Sequence, residues 1–238
     1  MKQYDCMILY HNYYSLQGLE DVRERIDKLK DYKVLLLASV SDKFSSAVIK
    51  QRDDEQIIFT TNQGKDIGGK LMLIDLAMKL YSHVPYMILL HDKQSHQKYS
   101  GGFEKERLFS ILSPGVFGDI IRKFESGNNI GIICNNGVIR DEFDTNRKIF
   151  ITTNTDILQE MTKKYGVETT DYSFVAGTMF AARTVIYFSF FKQHNPVAIR
   201  STLEKGNVLD HDGGTVTHSW ERVLCWIATA AGFKILGV

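Results

Sequence analysis

Proline is scarce, 3 residues in 238, too few for a proline-rich linker or polyproline segment. Cysteine is equally rare. Cys6, Cys134 and Cys225 are odd in number, lie far apart, contain no C-x-x-C and each sit in an apolar run. They read as buried, reduced thiols of a cytosolic protein rather than a disulfide framework. No apolar stretch approaches the roughly 18 residues of a membrane span. Asp5 stands where a signal peptide would be apolar, which argues against secretion by that route. Neither sign of charge dominates: Lys and Arg total 29 and Asp and Glu 28, a net charge of +1, so nothing suggests bulk nucleic-acid binding. There is no internal repeat, no P-loop and no G-x-G-x-x-G fingerprint.

What is present is the composition of a folded domain, 44% hydrophobic with 11% aromatic residues, long enough to bury a core without disulfides or metal. Short apolar runs alternate with longer periodic segments. Residues 6–10 (CMILY), 34–38 (VLLLA), 56–60 (QIIFT), 86–90 (YMILL) and 129–134 (NIGIIC) read as buried strands. Leu19, Val22, Ile26 and Leu29 are spaced as one face of a helix, as are Ile67, Leu71, Ile74, Met78 and Tyr81. Continuous apolar strands alternating with helices predict an α/β fold with a mainly parallel sheet. In the second half, residues 156–165 read as a short helix, 173–183 as an apolar strand broken by Gly177, and 210–214 as a tight acidic turn. An apolar helix over 220–231 is closed by Gly232, and a final strand follows. No linker composition interrupts the chain, so one domain over 1–238 is expected.

Parallel sheets bind ligands at the carboxyl ends of their strands, and all five strand ends are polar: His11-Asn12-Tyr13-Tyr14, Ser39 to Asp42, Thr61 to Asp66, His91-Asp92-Lys93 and Asn135-Asn136. This predicts a polar ligand along one sheet edge. The glycine-rich stretch 62–69 can bring backbone close to a phosphate or sugar, or it is simply a helix start where Asp66 complements the dipole. In His91-Asp92-Lys93 the carboxylate can hold a divalent cation and the lysine can neutralise a diphosphate; the plainer alternative is a solvated loop. Asp210, His211, Asp212, His218 and Glu221 read as metal ligands, as general-base chemistry, or as a capped turn. Arg183 is a phosphate or carboxylate partner or a structural ion pair. His83, His96 and His194 have no supporting cluster and read as structural or surface residues.

Four segments in order resemble the rhamnan synthesis protein F family of bacterial polysaccharide glycosyltransferases. They are Asn62-Gln63-Gly64-Lys65-Asp66-Ile67-Gly68, Leu90-His91-Asp92-Lys93, residues 174–180 (FVAGTMF), and Asp212-Gly213 with His218-Ser219-Trp220-Glu221-Arg222. The opening strand end, residues 10–14, is similar as well. Lys65 stands where the family motif has Arg, which keeps the charge and loses bidentate geometry. The resemblance implies a GT-A-like, Rossmann-like single domain, with a nucleotide-sugar-binding half over about 1–135 and an acceptor and catalytic half over about 136–238. It implies transfer of a sugar, with rhamnose suggested by the family's name, from a nucleotide-sugar donor to a hydroxyl of a cell-surface polysaccharide or lipid-linked glycan. His11, Asn62, Lys65, Asp66, His91, Asp92, Lys93, Gly177 and Thr178 would bind the donor. Asp212, slightly ahead of Glu221, is the candidate base, with His218 orienting the acceptor or sharing that role. GT-A enzymes commonly hold Mg2+ or Mn2+ on a D-x-D motif. Here only Asp92 stands at that place, so a metal-independent enzyme, with Lys93 supplying the charge, is the alternative. The resemblance places the enzyme in the cytoplasm, at the inner face of the membrane through peripheral association. Two other readings stay open: a metal-dependent hydrolase using His11, His91, Asp92, Asp210 and His218, and a non-catalytic nucleotide-sugar-binding module.

Overall fold

Cys6–Asn12 (β1) and Val34–Ser41 (β2) are buried along their whole lengths, and strands covered on both faces need helices on both sides. The computed structural model describes residues 3–92, 106–127, 129–206, 208–209 and 213–238. Its main sheet adds Glu55–Thr60 (β3), Tyr86–His91 (β4), Ile130–Cys134 (β5), Phe180–Arg183 (β10) and Lys234–Gly237 (β11), in the order β11-β5-β10-β4-β1-β2-β3. All pairings are parallel except those of β10, which runs antiparallel between β4 and β5. The fold is α/β and Rossmann-like, as the alternation of runs predicts. Two antiparallel ribbons lie outside this sheet: Ile139–Asp141 (β6) with Ser173–Val175 (β9), and Phe143–Asp144 (β7) with Ile149–Phe150 (β8).

The helices are Leu16–Ile26 (α1), Lys65–Leu80 (α2), Pro114–Ser126 (α3), Thr155–Tyr165 (α4), Thr184–Gln193 (α5), Pro196–Ser201 (α6) and Val216–Ala230 (α7). In α1, Leu19 and Val22 are buried as their spacing predicts, and Leu29 is buried just beyond the helix end. Helix α2 packs on β1, β2 and α6. Helix α7 is buried over most of its length and packs on β5, β9, β11 and α4. Gly232 follows its end at φ 84°, with Phe233 N–H bonded back to Ala228 O at 3.0 Å, a left-handed helix stop.

The apolar segment 173–183 resolves into two strands of different sheets. Gly177 (φ 82°) and Thr178 (φ 49°) reverse the chain between them. Because β10 is antiparallel, its start lies at the carboxyl end of β4 and its end, Arg183, pairs with Tyr86 at the opposite edge. There Arg183 donates to Ile130 O at 2.7 Å, to Gly127 O at 2.8 Å and to Phe124 O. Of its two sequence readings, the phosphate partner gives way to a structural role as a clamp on backbone carbonyls.

Candidate functional site

The strand order places β1 between β2 and β4, a topological switch point where open α/β sheets bind ligands. His11 and His91 are paired in register there. Helix α2 begins above them. Gly64, at φ 73°, turns the chain into the helix, and a Cβ on it would lie 2.2 Å from Leu203. The preceding loop is held from α6, with Arg200 donating to Thr61 Oγ1 at 2.8 Å and Gln63 Nε2 to Ser201 O at 3.1 Å. Gly69 lets the helix descend onto His11, since a Cβ there would lie 2.1 Å from His11 Nδ1.

Lys70, one helical turn beyond Asp66, has no exposed surface. Its ammonium donates to Asp66 Oδ2 (2.9 Å), Thr178 O (3.0 Å) and Thr178 Oγ1 (2.5 Å), and contacts His91 Nδ1 at 3.0 Å. Thr178 Oγ1 in turn donates to Asp66 Oδ2 at 3.0 Å. Burial by itself raises the pKa of Asp66, but Lys70 and the neighbouring histidines override it and hold the carboxyl below its usual range. Burial pulls Lys70 below its ordinary value, against the pull of Asp66. The carbonyl bond to Lys70 also helps hold Thr178 in a left-handed conformation costing roughly 1–2 kcal/mol for a residue with a Cβ.

Helix α7 presents its first turns to the same place. Thr215 Oγ1 accepts His218 N–H at 3.1 Å and contacts His218 Nδ1 at 2.6 Å. The Glu204 carboxylate accepts Val216 N–H at 2.6 Å and Thr217 N–H at 2.9 Å, while its carbonyl accepts Gly64 N–H at 2.8 Å. One residue thus ties together the amino ends of α2 and α7. Glu221 accepts Gly177 N–H at 2.5 Å and Arg222 Nη1 at 2.9 Å. Its pKa is raised, chiefly by burial, with Arg222 and the Gly177 N–H opposing.

The result is a cavity of about 240 Å3 lined by Lys65, Asp66, Ile67, His91, Gly177, Thr217, His218 and Glu221. Six of these were singled out in the sequence, and Thr178 adjoins it through Lys70. Other candidates sit elsewhere. His11, 2% exposed, lies under α2 with Nδ1 2.8 Å from Ser39 Oγ and Nε2 without a hydrogen-bond partner. Burial pushes its pKa down to about 4. Asn62 is half-buried in the loop before α2. Asp92, 8% exposed, accepts the N–H groups of Tyr13 (2.9 Å) and Tyr14 (2.5 Å), and burial raises its pKa against those bonds. Asn135 lines a separate cavity of about 410 Å3 beside α3. Lys93, His96, Asp210, His211 and Asp212 lie outside the described residues.

Among the described residues no group of three or more His, Cys, Asp or Glu is placed to hold a metal ion. Asp92 turns its carboxylate to backbone amides, and Asp66 is bonded to an ammonium. Among the described residues these two carboxylates are committed to amide and ammonium donors. Another cavity, about 530 Å3, is at the opposite edge of the sheet. Its buried cation, Arg23, is matched by Glu55 (2.7 Å) and Glu20 (2.6 Å), a structural pairing.

Residues 1–233 match rhamnan synthesis protein F. The chain belongs to that family. No curated protein matches it. Membership assigns the chain to rhamnan polysaccharide synthesis, and all four sequence segments that resemble the family contribute to the cavity or its wall: Lys65 and Asp66, His91, Gly177 and Thr178, and His218 and Glu221. Sequence reading missed Lys70, whose signal was present: a lysine between Ile67 and Ile74 on the buried face of α2, four residues after Asp66. Glu204 and Thr215, which set the start of α7, carried no signal beyond ordinary capping chemistry.

Proposed function

We propose that the chain is a glycosyltransferase that moves a sugar from a nucleotide-sugar to a hydroxyl of a growing, lipid-linked glycan. The observation that carries this reading is the juxtaposition, in one hexose-sized cavity, of the Glu221 carboxylate with two helix amino ends. The acceptor oxygen forms a bond to the anomeric carbon as the bond from that carbon to the nucleoside diphosphate breaks. The electron pair leaves with the diphosphate, and Glu221 takes the acceptor proton. Burial moves Glu221 toward neutral pH, where a general base is most effective. The amino ends of α2 and α7, with Lys65, favour the negative charge that develops on the leaving group. Asp66 and His91, fixed by Lys70, present acceptors and a ring nitrogen to sugar hydroxyls. No helix among the described residues is long and apolar enough to cross a membrane; the enzyme works beside the cytoplasmic membrane face, attached peripherally or through a partner.

The test is a thermal-shift screen against nucleoside diphosphates and nucleotide-sugars, with Mn2+, Mg2+ or EDTA, followed by turnover with the donor it identifies. A ligand that binds the native state raises the midpoint. The expected result is a shift with one nucleotide family that survives EDTA. A strong shift with metal alone, and hydrolysis without an acceptor, would overturn the reading in favour of a hydrolase. Binding without turnover would leave only a binding module. Glu221→Gln should lower the transfer rate by about 10²–10⁴-fold, the usual range for losing a general base. Such a loss on Asp212→Asn, with Glu221→Gln fully active, would move the base to Asp212.

A further inference from the structure

Residues 135–154 leave the main sheet after β5 and form small ribbons, with the outward look of a surface excursion. They deliver two buried side chains to α7. Glu142, 1% exposed, accepts Arg222 Nε at 3.0 Å with one carboxylate oxygen and Thr152 N–H at 2.9 Å with the other. Asn154, 0% exposed, accepts Thr215 N–H at 2.8 Å and Ser219 Oγ at 3.2 Å. Between them, Arg222 donates Nη1 to Glu221 Oε2 and to His218 O, both at 2.9 Å, and lies 4.6 Å over the Phe174 ring. One guanidinium is therefore shared by two carboxylates, of which Glu221 lines the cavity and Glu142 does not.

We propose that Glu142 is a positioning residue of the transfer site, acting through Arg222 to fix the Glu221 carboxylate and to set how tightly it holds a proton. The proposal rests on Glu221 being the base. A cation paired with two carboxylates neutralises each less than it would neutralise one alone, and the effect is strong where water is excluded. Removing the charge of Glu142 hands Arg222 wholly to Glu221, whose carboxylate then holds its proton more weakly and becomes a poorer base. Among the described residues the other groups facing Glu221 are Lys65, Asp66 and Lys70 of α2, His91 of β4, and His218 and Cys225 of α7. The Glu142 carboxylate bonds to Arg222 and to Thr152 N–H, so the substitution acts at the Arg222 end of this network.

The experiment follows the side-chain carboxyl carbon of Glu221 by NMR through a pH titration of the full chain labelled with 13C-glutamate, the signal assigned by its loss in Glu221→Gln. Glu142→Gln should lower the Glu221 midpoint by about one unit, a tenfold weaker hold on the proton. The acidic limb of the rate profile should move down with it. Glu142→Asp keeps the charge but retracts it by one methylene, and should give a smaller fall in the same direction; it serves where the Gln variant does not fold. An unmoved or raised midpoint in the folded variants overturns the coupling, whatever the turnover. Undiminished transfer by Glu221→Gln overturns instead the base assignment, and with it the catalytic meaning of Glu142.

Discussion

Lys70 has no exposed surface and meets Asp66, His91 and both oxygens of Thr178. Its loss would leave the half-buried Asp66 carboxylate without its cation and the turn at Thr178 without its donor. Lys70→Met should destabilise the fold by about 3–5 kcal/mol, the range for breaking one side of a buried ion pair, a loss measurable by denaturant titration at pH 7. His11 makes a second prediction at this scale. Its folded pKa of about 4 lies below the unfolded value of about 6.5. The unfolded chain therefore binds a proton between these pH values that the folded chain refuses, and stability falls as pH drops through that window. The full difference is about 3 kcal/mol. Chemical denaturation at pH 7, 5.5 and 4 should show a steeper loss in the natural protein than in His11→Gln; equal slopes would remove His11 from the account.

At the scale of the element, α2 is set by how closely it can approach the sheet. Alanine is ordinarily better than glycine in a helix by about 1 kcal/mol. At Gly69, however, a Cβ would lie 2.1–2.7 Å from three atoms of the His11 ring, which is itself buried and cannot withdraw. Gly69→Ala should therefore lower the melting temperature despite its better propensity, and, on the proposed function, weaken nucleotide-sugar binding because α2 carries Lys65 and Asp66. A Gly69→Ala protein as stable as the natural one would show that the helix shifts freely. The amino end of α7 depends on Thr215 and Glu204 in the same way. Thr215→Ala removes a cap worth about 1 kcal/mol and the partner of His218, so its loss of transfer should exceed what its change in stability explains.

Across the whole molecule, β10 connects the two halves of the chain. It is formed by residues 180–183 yet lies between β4 and β5, so the sheet of the first half is not complete until the second half has folded. Trp220 and Trp226 both lie buried in α7. Tryptophan fluorescence and far-UV circular dichroism should therefore report one coincident unfolding transition. An earlier loss of fluorescence would show that the second half melts as a separate unit.

The parallel α/β architecture was legible because buried parallel strands must be apolar along their length, as residues 34–38 and 86–90 are, and because helix faces repeat with the helical period. The polar sheet edge that lines the cavity was legible because five successive strand ends are polar in the sequence. The position of β10 was not legible: a four-residue strand carries no record of which neighbours it pairs with, and its direction depended on a turn at Gly177 and Thr178. Helices α3, α5 and α6 were also passed over, for α5 is apolar on too many sides to show a clear stripe. Glu142 looks in sequence like an ordinary surface charge. Sequence by itself determined the layers, the edge and the residue types that gather there. Only the tertiary structure decided which of them meet, because burial, charge pairing and the descent of α2 onto His11 are long-range contacts that no local pattern encodes.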